Sequence, residues 1–382
     1  MGYPRYLLLD TPDREVRFPK KENHLPLTRA AVFSLRTLLS ARRAHRPSVY
    51  VGVDLGERRT KLVAVARGDA GVCVTHAADE PTPAGLFRDR RIADEGAAGT
   101  FLAGVVRAQG LAGAPAALAV APGDARVQRQ QLPRMDDAAL RGAVVADPAL
   151  RLGGMETVAA RYAFAEVETG AHDPALVTLI AVSAREETIR VLQGVSGGAG
   201  LGAGPVTAAP VALANAWAAT HPDRVAAGAR SVLLHGGFGG LLIAVLDGGV
   251  PATAYEASLG VGYLAERTGG EGLLFEPGAP DERVMEEWVR RVAGDVRRAA
   301  GAASAGRGVL GDADGSGAVW ISGGIARLPG IVERFRAALG VRVHLFDPLA
   351  AFPTTTPLPF APPLAVAAGL ALEMLALAPV RP

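Results

Sequence analysis

Asp54 stands near the end of an apolar run, Val51-Gly-Val-Asp-Leu-Gly56, and Lys61 follows once the chain has turned. A carboxylate so placed can hold a hydrated magnesium ion against phosphates. The Lys61 ammonium can neutralise the charge of those phosphates. A second segment, His235-Gly-Gly-Phe-Gly-Gly240, carries Gly236, Gly237, Gly239 and Gly240, whose backbone N–H groups can face the same anion. In a third, Trp320-Ile-Ser-Gly-Gly-Ile325, Gly323 and Gly324 precede a helix, where an adenosine could pack on bare backbone. The chemistry in view is the binding of an adenosine phosphate with magnesium. Each glycine or aspartate taken alone serves a tight turn equally well, so the order of the three segments carries the reading.

These residues need strands and turns to position them. Residues 49–55, 61–66 and 72–76 read as a three-stranded meander around Gly-containing turns. Residues 231–234, 241–247 and 251–258 repeat that unit, with Asp247-Gly-Gly249 as its hairpin signal. Two copies of one unit predict two similar domains facing each other. Between them the pattern gives a helix at 100–109, strands at 116–120, 126–132, 157–166 and 176–183, and helices at 136–145, 186–194 and 211–219. After the second meander come helix 281–298, a low-complexity loop at 302–317, strand 318–322, helix 328–339, strand 341–345 and an apolar helix at 364–376. The Gly-rich stretch 194–204 lacks the lysine of a phosphate loop and reads as a linker.

Composition sets the class. The 382 residues suggest about two domains. A net charge of +2 gives no global field that would favour nucleic acid. Cys73 is the only cysteine, which removes intrachain disulfides and cysteine metal sites and fits a reducing cytoplasm. Nothing at the N-terminus reads as a signal peptide, and the apolar tail 363–380 is broken by Glu373. Residues 1–47 differ from the rest, with ten Arg and Lys against four Asp and Glu. Within them, 27–43 has the pattern of a basic amphipathic helix suited to an acidic surface.

Taken together, VGVDLGERRTK (51–61), the 235–240 turn and WISGGIARLPG (320–330) resemble the phosphate-1, phosphate-2 and adenosine motifs of the actin-like ATPase superfamily. Residues 321–352, with ALAVAPGDARVQRQQLP (117–133), 176–187, 205–218 and LAVAAGLAL (364–372), are similar to the PilM family of type IV pilus assembly proteins. The resemblance implies an α/β actin-like fold, two RNase H-like domains with a small inserted α+β subdomain in the first. It covers roughly residues 49–378, leaving out the basic extension (1–47), and divides the rest into a first domain (48–114 plus 350–378), an insertion (115–200) and a second domain (205–349). It implies a cytoplasmic scaffold, peripheral at the inner membrane, that grips the N-terminal cytosolic peptide of a single-span assembly protein. The assembly ATPase of the same machine and self-association are further implied contacts, and nucleic acid is not. Phosphotransfer enzymes and FtsA-like filament proteins share the fold and are the alternatives.

Departures from the motifs bear on catalysis. His235 stands where the superfamily places the phosphate-2 Asp, Glu57-Arg-Arg59 fills the phosphate-1 turn, and Phe238 replaces a hydroxyl residue. Asp54, Gly56, Lys61, Gly237, Gly323 and Gly324 carry over. The expected site is therefore degenerate, with ATP and magnesium as its implied ligands and no catalytic residue assigned.

Overall fold

The computed structural model describes residues 49–68, 71–152, 158–167, 173–276, 281–302, 310 and 317–378. The basic extension with its expected helix lies outside them, as does most of the low-complexity loop.

Val49–Leu55 (β1), Arg59–Gly68 (β2) and Gly71–Pro81 (β3) form the first antiparallel meander. A short hairpin, Phe87–Arg88 (β4) and Arg91–Ile92 (β5), leads to helix Glu95–Ala108 (α1). Asp94 starts that helix because its carboxylate accepts the Ala97 N–H at 2.9 Å. Strand Ala116–Val120 (β6) then runs parallel to β1.

An excursion follows: Ala125–Pro133 (β7), Asp137–Ala146 (α2), Ala160–Glu166 (β8), Leu176–Arg185 (β9) and Glu186–Gly198 (α3). Val206–Ala208 (β10) closes the first sheet in the order β10-β6-β1-β2-β3. Helices Ala209–Thr220 (α4) and Pro222–Ala226 (α5) lead to the second meander, Arg230–Gly236 (β11), Leu241–Asp247 (β12) and Val250–Ala257 (β13). Val261–Thr268 (α6), Glu282–Ala302 (α7), Ala318–Gly323 (β14), Ile331–Leu339 (α8) and Arg342–Leu345 (β15) complete that half. Its order, β15-β14-β11-β12-β13, repeats the first sheet, with an antiparallel meander on one side and parallel strands on the other. The final helix, Ala365–Leu377 (α9), returns to the first domain.

Three expectations change. Strand β6, assigned by sequence to the insertion, is the fourth strand of the first sheet, and β10, assigned to the second domain, is its fifth. The excursion's own sheet is also not separate: β7 bridges β13 at Gln128 and Thr253, so β7, β9 and β8 extend the second sheet to eight strands. The Gly-rich stretch is only partly a linker, because α3 runs through Gly198. A methyl at Gly99 would lie 3.4 Å from the Gly198 Cα, so small residues on both helices let α1 and α3 approach closely.

Between the two sheets lie α4 and α9. Their Ala-rich surfaces are buried almost all round, as a helix enclosed on both sides requires. One apolar cluster joins Val63 and Val65 of the first sheet, Leu233 and Leu242 of the second, and both helices. Gly369 makes the crossing possible, since a Cβ there would stand 1.7 Å from the Ala212 carbonyl oxygen.

This layer also buries Glu373, fully enclosed on α9. Thr207 Oγ1 donates to its Oε1 at 2.8 Å and Asn215 Nδ2 to its Oε2 at 3.3 Å. Burial pushes the carboxyl up to about 8 against the pull of those two donors, so the group is a neutral acid at pH 7. The unfolded chain releases this proton near pH 4.5, so the stability lost through Glu373 grows as pH rises from there to about 8. Glu373→Gln is therefore expected to stabilise the protein by about 2 kcal/mol at pH 8 and by much less at pH 5, as read by urea unfolding.

Candidate functional site

A cleft of about 640 Å³ opens between the two meanders. Antiparallel register sets Asp54 opposite Lys61, and their side chains meet at 3.2 Å. Parallel register sets His235 beside Ser322, with ring Nδ1 and Oγ at 3.0 Å. Burial pushes the His235 imidazole down to about 4; the Asp54 charge works against that shift and the Lys61 charge with it. The ring is neutral at physiological pH.

Asp54, Gly56, Lys61, Gly237, Gly239, Gly240 and Gly324 line this one cleft, so the three segments picked from sequence do converge. Gly236 and Gly323 do not line it. They stand behind the wall, where a Cβ on Gly236 would meet Ile325 Cγ2 at 2.3 Å. Gly323 has φ +80°, and a Cβ there would lie 2.4 Å from the Gly236 carbonyl oxygen. Their glycine identity is explained by close packing behind the wall, Gly236 under the Ile325 side chain and Gly323 against the backbone of β11. Gly237 and Gly324, in contrast, would each admit a Cβ in ordinary contact, with nearest atoms at 3.7 Å and 3.5 Å.

The residues that sequence reasoning missed are the cleft's ion partners. Asp79 on β3, only 2% exposed at its side chain, accepts Arg59 Nε at 2.7 Å and Arg327 Nη2 at 2.6 Å, so it bridges the two domains. Arg58 lies 3.4 Å from the Glu271 carboxylate and caps the Phe238 ring at 4.4 Å. Arg90 pairs with Glu256 on β13. No motif spacing links Arg58 and Arg59 to Asp79, Arg90, Glu256, Glu271 and Arg327, because these come from strands, turns and a hairpin far apart in the chain.

Charge decides what the cleft can take. Its lining holds five cations (Arg58, Arg59, Lys61, Arg90 and Arg327) and five carboxylates (Asp54, Glu57, Asp79, Glu256 and Glu271). Every one of the cations has a carboxylate partner within the cleft. A magnesium triphosphate needs uncommitted cationic donors for its oxygens and carboxylates free to hold the metal's water shell. Asp54 is committed to Lys61, and among the described residues no group of three or more His, Cys, Asp or Glu converges on a metal position. Glu57 also points its carboxylate at the glycine turn, with Oε2 2.9 Å from where a Gly239 Cβ would be. At its phosphate end the cleft therefore engages its cations with its own carboxylates, and a magnesium triphosphate would have to displace those pairs.

No protein-family model matches the chain, and no curated protein does. Solved structures do match it. A chain of a "PilM-PilN type IV pilus biogenesis complex" is similar over 85% of this chain and 98% of its own length, with a TM-score of 0.71 and 18% identity. The ethanolamine utilization protein EutJ from Carboxydothermus hydrogenoformans is similar over 87% of this chain and 92% of its own, with a TM-score of 0.53 and 18% identity. At such identities the likeness is one of fold. That fold is the expected one: actin-like, with two RNase H-like sheets of matching order. It is the same fold that the resemblance to PilM implied.

The neutral His235 gives the cleft a testable pH signature. Between about pH 4 and 6.5 the unfolded chain takes up a proton that the folded cleft refuses, so stability falls as pH drops through that window. Acidification from pH 7 to 4.5 should cost wild type about 2 kcal/mol more than it costs His235→Gln, measured by urea unfolding at both pH values.

Proposed function

We propose that this chain is a cytoplasmic actin-like scaffold of a type IV pilus or a related secretion or competence machine, and not a nucleotide hydrolase. The observation that carries the reading is the likeness of fold to the PilM–PilN complex chain over 98% of that chain's length. The ion-paired cleft supports its second half, since the ATP and magnesium that the fold implies meet Asp54 and Lys61 already paired with each other. Among the described residues no helix is long and apolar enough to cross a membrane. In this reading, attachment to the inner membrane runs through a partner, the cytosolic N-terminal peptide of a single-span assembly protein. The assembly ATPase of the machine is a further contact in this reading.

The peptide's place is the excursion's free edge. Among the described residues strand β8 ends the eight-stranded sheet and has no strand on its outer side, the arrangement that an added strand would use. Helix α2 flanks that edge through Arg141, whose guanidinium lies 5.8 Å from the Phe164 ring. An extended peptide adding main-chain bonds along β8 would set an apolar side chain on Phe164 and an acidic one on Arg141. Isothermal titration with a synthetic peptide of the partner's cytosolic N-terminus should show micromolar or tighter binding. Phe164→Ser and Arg141→Glu should each weaken it about tenfold, the loss of one anchor contact. Full-length protein that binds no such peptide would remove the proposal.

A further inference from the structure

The β4–β5 hairpin is built against local preference. Its two-residue turn, Asp89 and Arg90, has φ of +51° and +67°, two consecutive left-handed residues where asparagine and glycine are the usual choice. Aspartate tolerates that region, whereas a long side chain such as arginine is strained there. The conformation delivers Arg90 across the cleft. Its guanidinium lies 3.3 Å from where a Gly240 Cβ would be and 3.7 Å from that of Gly123, and its Cγ stands 3.3 Å from that of Gly239. Three bare backbone positions from the second domain and the root of the excursion thus form a cradle, and Arg90 lies in it, ion-paired to Glu256.

The neighbouring Arg91 makes a second tie. It reaches Asp124 at 3.2 Å, and the same carboxylate accepts Arg185 at 2.8 Å and Thr188 Oγ1 at 2.6 Å. Burial alone would raise the Asp124 carboxyl, but the Thr188 and Arg185 hydrogen bonds and the Arg91 charge outweigh it and hold the group below its ordinary value. One hairpin of the first domain therefore touches the second domain at Glu256 and the excursion at Asp124.

We infer that the Asp89–Arg90 hairpin is a built-in clasp: Arg90, seated among Gly123, Gly239 and Gly240 and paired with Glu256, fixes the two domains around the cleft without nucleotide. Gly239 and Gly240 then serve this chain's own arginine and not a phosphate. A carboxylate at Glu256 suits a guanidinium and would repel an anionic ligand. The inference stands apart from the partner proposed above, because it concerns the domain arrangement and not the β8 edge.

The test places spin labels on cysteines introduced at Arg107 on α1 and Arg297 on α7, in a Cys73→Ser background, and reads the distance distribution by pulsed electron resonance. The unaltered clasp should give one narrow distribution, unmoved by ATP with magnesium. Arg90→Ala and Glu256→Gln should each broaden it about twofold as the closed state loses its advantage. Asp89→Gly keeps Arg90 and relieves the turn, so it should leave the distribution narrow and raise Tm. Distributions unchanged in both Arg90→Ala and Glu256→Gln would overturn the clasp. So would broadening in Asp89→Gly, or a shift of the unaltered clasp on adding ATP with magnesium. Peptide binding at β8 is read separately, so failure of one proposal leaves the other visible.

Discussion

Everything in this molecule is hung on the crossing of two helices inside a two-sheet sandwich. Helices α4 and α9 touch at Gly369 and Ala212, and each also covers the inner face of a sheet. A backbone carbonyl approached that closely leaves no room for one methyl group, so the spacing of the layers is set at that contact. Gly52 of β1 obeys the same constraint, since a Cβ there would lie 2.0 Å from the Ala367 carbonyl oxygen. Once the layers are fixed, the ends of β1 and β11 must face each other across a gap. The cleft follows from packing, whatever is later placed in it.

What fills the gap is the chain's own charge. A nucleotide held here would need cationic and backbone N–H groups for its oxygens, and leaving such groups unpaired is unfavourable until a ligand binds. This chain instead sets Asp79 between Arg59 and Arg327, Glu271 against Arg58, and Glu256 against Arg90. The charges compensate internally. His235 fits the same logic, since a neutral imidazole bonded to Ser322 needs no counter-ion in a crowded floor.

How far the sequence was legible depends on whether a signal was local. The two meanders and the apolar closing helix could be read because alternation, turn glycines and an unbroken apolar run are local properties. The convergence of Asp54, Lys61 and the 237–240 turn could be read because motif order implied it. The membership of β6 could not: Ala116–Val120 looks the same in an insertion as in a parent sheet, and only its pairing with β1 decides. Nor could the meaning of individual glycines. Gly236 and Gly323 signal a phosphate cradle by type, but close packing behind the cleft wall explains them. The pairs Arg90–Glu256 and Arg327–Asp79 span more than 160 residues each, and no spacing rule reaches that far.

Magnitudes settle which forces hold the domains and which set their geometry. Partly exposed ion pairs such as Arg58–Glu271 contribute only about 0–1 kcal/mol each. Arg90, left-handed at the hairpin tip, opposes folding by about 1–2 kcal/mol, and Asp89 by less. The cross-cleft pairs and the strained turn therefore nearly cancel, and the apolar layer around α4 and α9 supplies the cohesion. Asp79 is the exception, because its carboxylate is almost fully buried and losing either guanidinium would leave a charge partly uncompensated. The clasp is best understood as selection among arrangements that the apolar layer already allows. Small energies are enough for that, since a bias of about 1.4 kcal/mol changes a population ratio tenfold. A strained turn kept at little net gain in stability points to selection for where Arg90 is placed, and the cleft is where it is placed.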